Sequence, residues 1–423
     1  MQYPWRDSKL LVLLATGSLI VMTGAVIAPI LPKMIQQLSL DPAVAGYLVS
    51  AHYLTVALFS PLLGILADRT GAVRVLVTSL LLYAVFGAAG GILHDFVPIL
   101  ITRVLVGAAS GGIAAASLGL LVRRYEAEAV RSQAIAYVAT VLTLANIFYP
   151  VLAGLIGNWN WRWVFALYGL GIPLALLVVV NWRNDQEQGR RGRKSDEEND
   201  ATSDVASQPE TQNVDVQPPT DSRRPPKLLD VVCRWYPLQL YATQCLVAAI
   251  AHATIIYLPL YLKATLNAGT LLIGLVLAAQ GLGAAAIAAF GVRRLGQRFG
   301  LDRATSLGLG IMALILTTIP QLQQLPTILP CVILFGVGLG IVVPSLYNLM
   351  SNLAPSGLQS TVLAIGVGSN FLGQFISPGV FGFVLSWQGL PPVFYGAAVM
   401  ALMLGIWLVG VRGDGVRGDG VMG

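Results

Sequence analysis

Gly64-Ile-Leu-Ala-Asp-Arg-Thr-Gly-Ala-Val-Arg74 is a short polar hinge between two long apolar stretches. Apolar residues fill most of 43–66 before it and 73–93 after it. Asp68, Arg69 and Arg74 therefore sit where one membrane-crossing helix turns back into the next. Gly64 and Gly71 carry no Cβ, which suits a tight turn and a close helix approach. Asp68 can cap a neighbouring helix or pair with an arginine. A related stretch, Leu295-Gly-Gln-Arg-Phe-Gly-Leu-Asp-Arg303, occurs later. Leu66, Arg69, Gly71 and Arg74 each find the same residue type 229 positions on, while Asp68 meets Gln297 and Gly64 meets Arg293. The spacing predicts two related halves, of which only the first keeps the carboxylate.

Composition sets the class. The 423 residues are 56% apolar and 11% charged, against about 25% charged in soluble proteins. The run Leu10–Pro32 is 23 residues long, enough to cross a hydrocarbon core of about 30 Å; it reads as a first span and not as a cleaved signal. Spans are expected near 10–32, 44–66, 74–93, 98–121, 133–156 and 163–182, then near 237–261, 271–292, 303–321, 327–349, 360–385 and 391–411. The fold class is thus an all-α membrane protein, with twelve transmembrane helices in two pseudo-symmetric six-helix bundles. The expected units are a first bundle over 1–182, a linker over 183–236, a second bundle over 237–411 and a tail over 412–423.

Loop charge predicts orientation. Arg69, Arg74, Arg123, Arg124, Arg131, Arg293, Arg294, Arg298 and Arg303 fall in one set of short loops; the opposite set holds Lys33, Arg162 and Lys263. Both termini and the linker are therefore expected in the cytoplasm, with the protein multi-pass in a plasma or inner membrane. The sequence pI of about 9.3 follows from topology and does not point to nucleic acid. The linker, rich in Asp, Glu, Ser, Gln, Pro and Arg, reads as a disordered tether, and Lys227–Tyr236 as a short interfacial helix. Cys233, Cys245 and Cys331 have no paired spacing, so neither a disulfide framework nor a metal site is expected. No cofactor is expected either, since no phosphate loop, nucleotide motif or nucleophile–base pair appears. The Arg-Gly-Asp triplets of the tail belong to a repeated Gly-rich sequence and do not read as an adhesion signal.

On these residues the chain resembles the major facilitator superfamily, over nearly its whole length apart from linker and tail. Gly64-x-x-x-Asp68-Arg69-x-Gly71 is similar to that superfamily's loop between helices 2 and 3. Arg103-x-x-x-Gly107-x-x-x-Gly111 is similar to its membrane-arginine motif, and Trp161-Arg162-Trp163-x-Phe165 to a stretch of its drug-efflux members. Tyr149-Pro150-Val-Leu-Ala153-Gly154 keeps the Pro and second Gly of its antiporter motif, with Tyr149 and Ala153 where glycines are usual. The resemblance implies a drug–proton antiporter-like transporter working by alternating access between halves, and no enzyme.

The residues themselves add detail. Arg103 is the one permanent charge inside a span; its cost there, about 2.5–3.5 kcal/mol or more, predicts a wet cavity or a hydrogen-bonding partner. Gly107 and Gly111 follow on the same face as helix-packing positions, as do Pro150 and Gly154. No Asp or Glu falls deep in a span, which leaves Asp68, His52 and His252 as titratable candidates. For either histidine, plain packing is the competing reading. Asn146, Tyr149, Gln244, Gln280, Tyr347, Asn348, Asn370 and Gln374 could line the path with Arg103 and His252, or serve as interhelical hydrogen bonds. Such a pocket suits a neutral or anionic amphiphile. Gly64, Asp68, Arg69, Gly71 and Arg74 are expected to form a latch between the bundles, made and broken in each cycle. The reading is proton-coupled efflux by a monomer in the lipid bilayer. A nutrient importer or uniporter stays open beside it, as does a non-transporting sensor or scaffold.

Overall fold

The computed structural model describes residues 7–125, 127–183, 235–353 and 358–418. The linker and the interfacial helix expected before Tyr236 lie outside these residues, apart from their ends.

The described chain is helical throughout. The first half contains α1 (Ser8–Ala25), α2 (Leu31–Leu38), α3 (Pro42–Ala45), α4 (Tyr47–Thr70), α5 (Ala72–Ala89), α6 (Phe96–Arg124) and α7 (Glu128–Trp159). A 3-10 segment, Trp161–Leu170, leads into α8 over 171–183. The second half contains α9 (Trp235–Leu266), α10 (Thr270–Phe290), α11 (Val292–Phe299), α12 (Leu301–Thr318), α13 (Leu325–Leu353), α14 (Gln359–Gln388) and α15 (Leu390–Gly418). Residue 411, the expected edge of the last bundle, thus falls inside α15.

Among the described residues, eleven segments are long and apolar enough to cross a membrane. The twelfth long helix is α14, with 30 residues; Ser369, Asn370, Gln374 and Ser377 dilute its hydropathy. Helices are the solution here because lipid offers no partner for an unpaired backbone N–H or C=O. The same condition tolerates Pro61, Pro150, Pro259, Pro330, Pro344 and Pro378 within helices, where neighbouring helices cover the freed carbonyls.

The two halves pack by one plan. In the first, α4 and α5 pack on α6, and α1 on α7; in the second, α10 and α12 pack on α13, and α9 on α14. The halves meet through α4 against α14 and α7 against α10, a pair of contacts that the pseudo-symmetry exchanges. The hinge glycines match too: Gly71 has φ +104° and Gly300 φ +82°. Any Cβ there would be strained, so both positions require glycine.

Asp7 ties the start of the chain down. Its side chain caps α1 by accepting from Lys9 N at 3.1 Å. Its other oxygen accepts from Arg124 Nε at 2.6 Å and Tyr125 Oη at 2.8 Å, at the end of α6. Partial burial pushes this carboxyl up, but the hydrogen bonds from Arg124 and Tyr125 and the arginine's charge hold it, on balance, below the usual carboxylate range. A depressed acid stabilises the fold above its unfolded pKa, and that contribution disappears as pH falls through the folded value. Asp7→Asn should therefore cost about 1–3 kcal/mol at neutral pH. The difference from wild type should vanish below about pH 4, as read by thermal unfolding in detergent across that range.

Candidate functional site

The site lies where the halves join. On α7, the carbonyl of Gly154 accepts from Thr270 Oγ1 of α10 at 2.8 Å. A Cβ at Gly274 would stand 2.2 Å from Pro150 O, and one at Gly154 would stand 2.5 Å from Thr270 O. Backbone therefore touches backbone across the halves, and the absence of side chains at Gly154 and Gly274 is what permits it.

On the other flank, rings do the joining. Tyr47 of α4 meets Phe375 of α14 at 5.9 Å between centroids. Tyr53 stacks on Phe371 at 5.8 Å and 21°, and meets His252 of α9 edge-on at 5.2 Å and 89°. These spacings suit attractive ring pairs. The glycine, ring and hydrogen-bond contacts that join the halves gather on the side away from Asp68, which we term the far face. A recess of about 510 Å3 on that face has walls from both halves, among them Gln36, Asp41, Lys263 and Ser386. Toward Asp68, Phe59, Leu62, Ile65 and Leu66 of α4 come to the surface.

Arg103 requires a correction. Its side chain is fully buried inside the first bundle and does not face the space between halves. Nη1 donates to Tyr168 Oη at 2.6 Å, and Nη2 to Gly87 O at 3.4 Å. The guanidinium also lies over the Phe165 and Tyr168 rings, at 5.0 and 4.8 Å. Tyr168 Oη in turn donates to Thr23 O at 2.8 Å. A cation in a low-dielectric interior requires donors' partners and π faces around it, and the Trp161–Leu170 segment supplies them. The arginine and tryptophan motifs thus meet in one structural unit. Arg162 closes it from outside, donating to Gly91 O and Leu93 O at 2.9 and 2.8 Å. Gly107 and Gly111 lie further along the same helix: a Cβ at Gly107 would meet His52 O at 2.4 Å, and one at Gly111 Ser60 N at 2.9 Å. They bring α6 against α4.

Asp68 also differs from expectation in its partner. Oδ1 accepts from Arg123 Nη2 at 2.6 Å, within the first bundle and not across the bundles. Both side chains are more than half exposed. Arg69 and Arg74 stand on the surface beside this pair.

The remaining candidates scatter. Asn146 lies on the surface, donating to Leu142 O of its own helix at 3.0 Å. Tyr149 is bonded to Ser18 at 2.9 Å within the first bundle. Gln244 and Gln280 are buried, and both amide atoms of Gln244 and Oε1 of Gln280 lack a partner among the described residues. Tyr347 is half-buried and Asn348 is on the surface. Asn370 and Gln374 bond to one another, one turn apart and interleaved with Phe371 and Phe375. Sequence reasoning missed Tyr47, Tyr53, Phe371 and Phe375, whose signal exists only as a pairing between distant segments.

This geometry is that of a family. The profile of the Major Facilitator Superfamily matches residues 13–272 and 240–419, and the chain belongs to that superfamily. It is 32% identical over 139 residues to the multidrug export protein EmrB of Haemophilus influenzae, covering 32% of this chain and 26% of that protein. It is 27% identical over 140 residues to the fatty acid resistance protein FarB of Neisseria gonorrhoeae, covering 33% and 27%. The matched stretch is thus little more than a quarter of the length of either relative. A bacterial homologue of the human lysosomal transporter Spinster has the same fold, with a TM-score of 0.76, 14% identity and 99% of both chains covered. The protein is a multi-pass membrane member of that superfamily.

Proposed function

We propose that this chain exports small amphiphilic compounds in exchange for protons, by alternating access, and that the structure represents the state open at the Asp68 face. The observation that carries this reading is the one-sided joint: contacts between halves gather at the far face, while apolar α4 residues toward Asp68 are exposed. Loop arginines favour the cytoplasm for the Asp68 face, so the open side would face the compartment from which an exporter loads. Similarity to a multidrug export protein and to a fatty acid resistance protein favours efflux and an amphiphilic or anionic cargo. Away from their ends, α4, α7, α10 and α14 carry no Asp or Glu, which favours the same cargo over multivalent cations.

In this reading the Asp68–Arg123 pair is one position of the latch. Closing the Asp68 face would bring α14 and its neighbours up to Asp68, which then exchanges partners. The test is accumulation of ethidium and of a fluorescent fatty acid in a strain without its own pumps. Wild type should lower accumulation of at least one. Asp68→Asn should abolish that effect while changing stability by no more than about 1 kcal/mol, because the pair is exposed. Wild-type export by Asp68→Asn would remove the latch, and import by the wild type would reverse the direction.

A further inference from the structure

His52 and His252 are each 1% exposed; none of their four ring nitrogens makes a hydrogen bond of good geometry among the described residues, and the Val49 backbone offers the His52 ring only a poorly aligned contact. A neutral imidazole has one donor and one acceptor to satisfy, and burying both unmet is unfavourable. The two rings come from opposite halves. His52 lies against Tyr53, its neighbour on α4, at 3.9 Å between centroids, and the same Tyr53 meets His252 of α9 edge-on at 5.2 Å. Tyr53 and its stacked partner Phe371 are half-buried, so the two buried histidines adjoin rings that are partly open to the surroundings. We infer that His52 and His252 carry the coupled proton, taking it up when the far face parts and giving it up when that face shuts and the rings come together. The inference rests on the proton coupling proposed above and names its residues.

The surroundings fix the sense of the coupling. On α6, Arg103 lies one turn before Gly107, which abuts the His52 backbone; from the Trp161–Leu170 segment, Tyr168 accepts a hydrogen bond from Arg103. On α9 the other ionisable groups are Tyr236, Tyr241, Cys245, Tyr257, Tyr261 and Lys263, and α14 has none. On α1 there is Lys9, placed over Trp182. On α4, Tyr47 lies on the far side and Asp68 and Arg69 at the opposite end. Among the described residues of these elements, the one carboxylate on the helices that carry the pair is Asp68, at the opposite end of α4. The shut joint therefore favours two neutral rings. Parting the halves at the far face would separate the rings and admit water, and a hydrated imidazole can hold a proton near neutral pH. A ring nitrogen would take that proton from far-face water, forming one N–H bond. Resealing would break this bond and pass the proton to water in the cleft on the Asp68 side. One proton per cycle then moves inward as cargo moves outward.

The test needs no cargo. In a variant with Cys233, Cys245 and Cys331 replaced by Ser, spin labels at Gln36→Cys and Ser386→Cys span the far-face recess. Their distance distribution is read in nanodiscs from pH 8 to pH 5.5. The far-open population should rise by about threefold or more as pH falls. The change should flatten in the His52→Gln/His252→Gln double variant and be blunted in each single one. A full response in the double variant, or none with native histidines, overturns the assignment. Should the double variant fail to fold, a full response in both single variants does the same. Ethidium and fatty-acid export are measured separately. Export without a pH response sinks the histidine assignment and leaves transport standing; a histidine-dependent response without export supports the assignment and sinks the export reading.

Discussion

Arg103→Ala will cost the protein about 3–5 kcal/mol of stability, as expected when one partner of a buried charged network is removed. The cost has identifiable sources. Tyr168 Oη loses an acceptor-bound donor at 2.6 Å, the Gly87 carbonyl loses its long contact, and two ring faces lose their cation. A void the size of an extended side chain would remain between α5, α6 and the Trp161–Leu170 segment. Arg103→Lys keeps the charge but not the planar fork or the stacking, and should fall between. The measurement is thermal unfolding in detergent beside export in cells. A cavity residue would behave in the opposite way, with Arg103→Lys folding at wild-type stability and failing only in transport. That outcome would return Arg103 to the transport path.

Gly274→Leu should cut transport by about tenfold or more, equivalent to at least about 1.4 kcal/mol in the cycle, while leaving each bundle folded. The new Cβ would stand 2.2 Å from Pro150 O and 2.9 Å from its carbonyl carbon. Those atoms belong to a helix backbone, which cannot turn aside as a side-chain tip can. The clash lies between halves and not within one, so the expected response is a joint that no longer shuts at the far face. Spin labels at positions 36 and 386 should then report the longer distance at every pH. Gly274→Ala, with one methyl, should give an intermediate effect. Wild-type transport by Gly274→Leu would show that α7 and α10 need not touch during the cycle.

The two variants also mark where sequence reading succeeds and stops. The membrane class, the helical spans, the hinge and the repeat were legible because each is local or periodic. Apolar runs are long, turn residues fall between them, and Gly71 and Gly300 occupy the same place in two copies. Arg103 shows the limit. Its cost in a membrane predicts a partner, and it has one, but the Tyr168 phenol and Phe165 ring lie some sixty residues away in sequence. Nothing in the spacing separates a guanidinium caged inside a bundle from one lining a cleft. Asp68 is a similar case: the sequence marks it as the retained carboxylate of a repeated loop, but its partner in this state is Arg123, which counted beforehand only as a loop charge.

By itself, the sequence determined that this chain is a two-fold repeated, twelve-helix membrane protein with an asymmetric charge distribution, because hydropathy and turn chemistry act over a few residues at a time. The tertiary structure alone decided which polar groups are consumed inside a bundle and which meet between bundles. That decision rests on helix faces brought together from segments more than a hundred residues apart, as with Tyr53 against His252 and Pro150 against Gly274. Such contacts depend on the angle and rotation of packed helices, which no local pattern encodes.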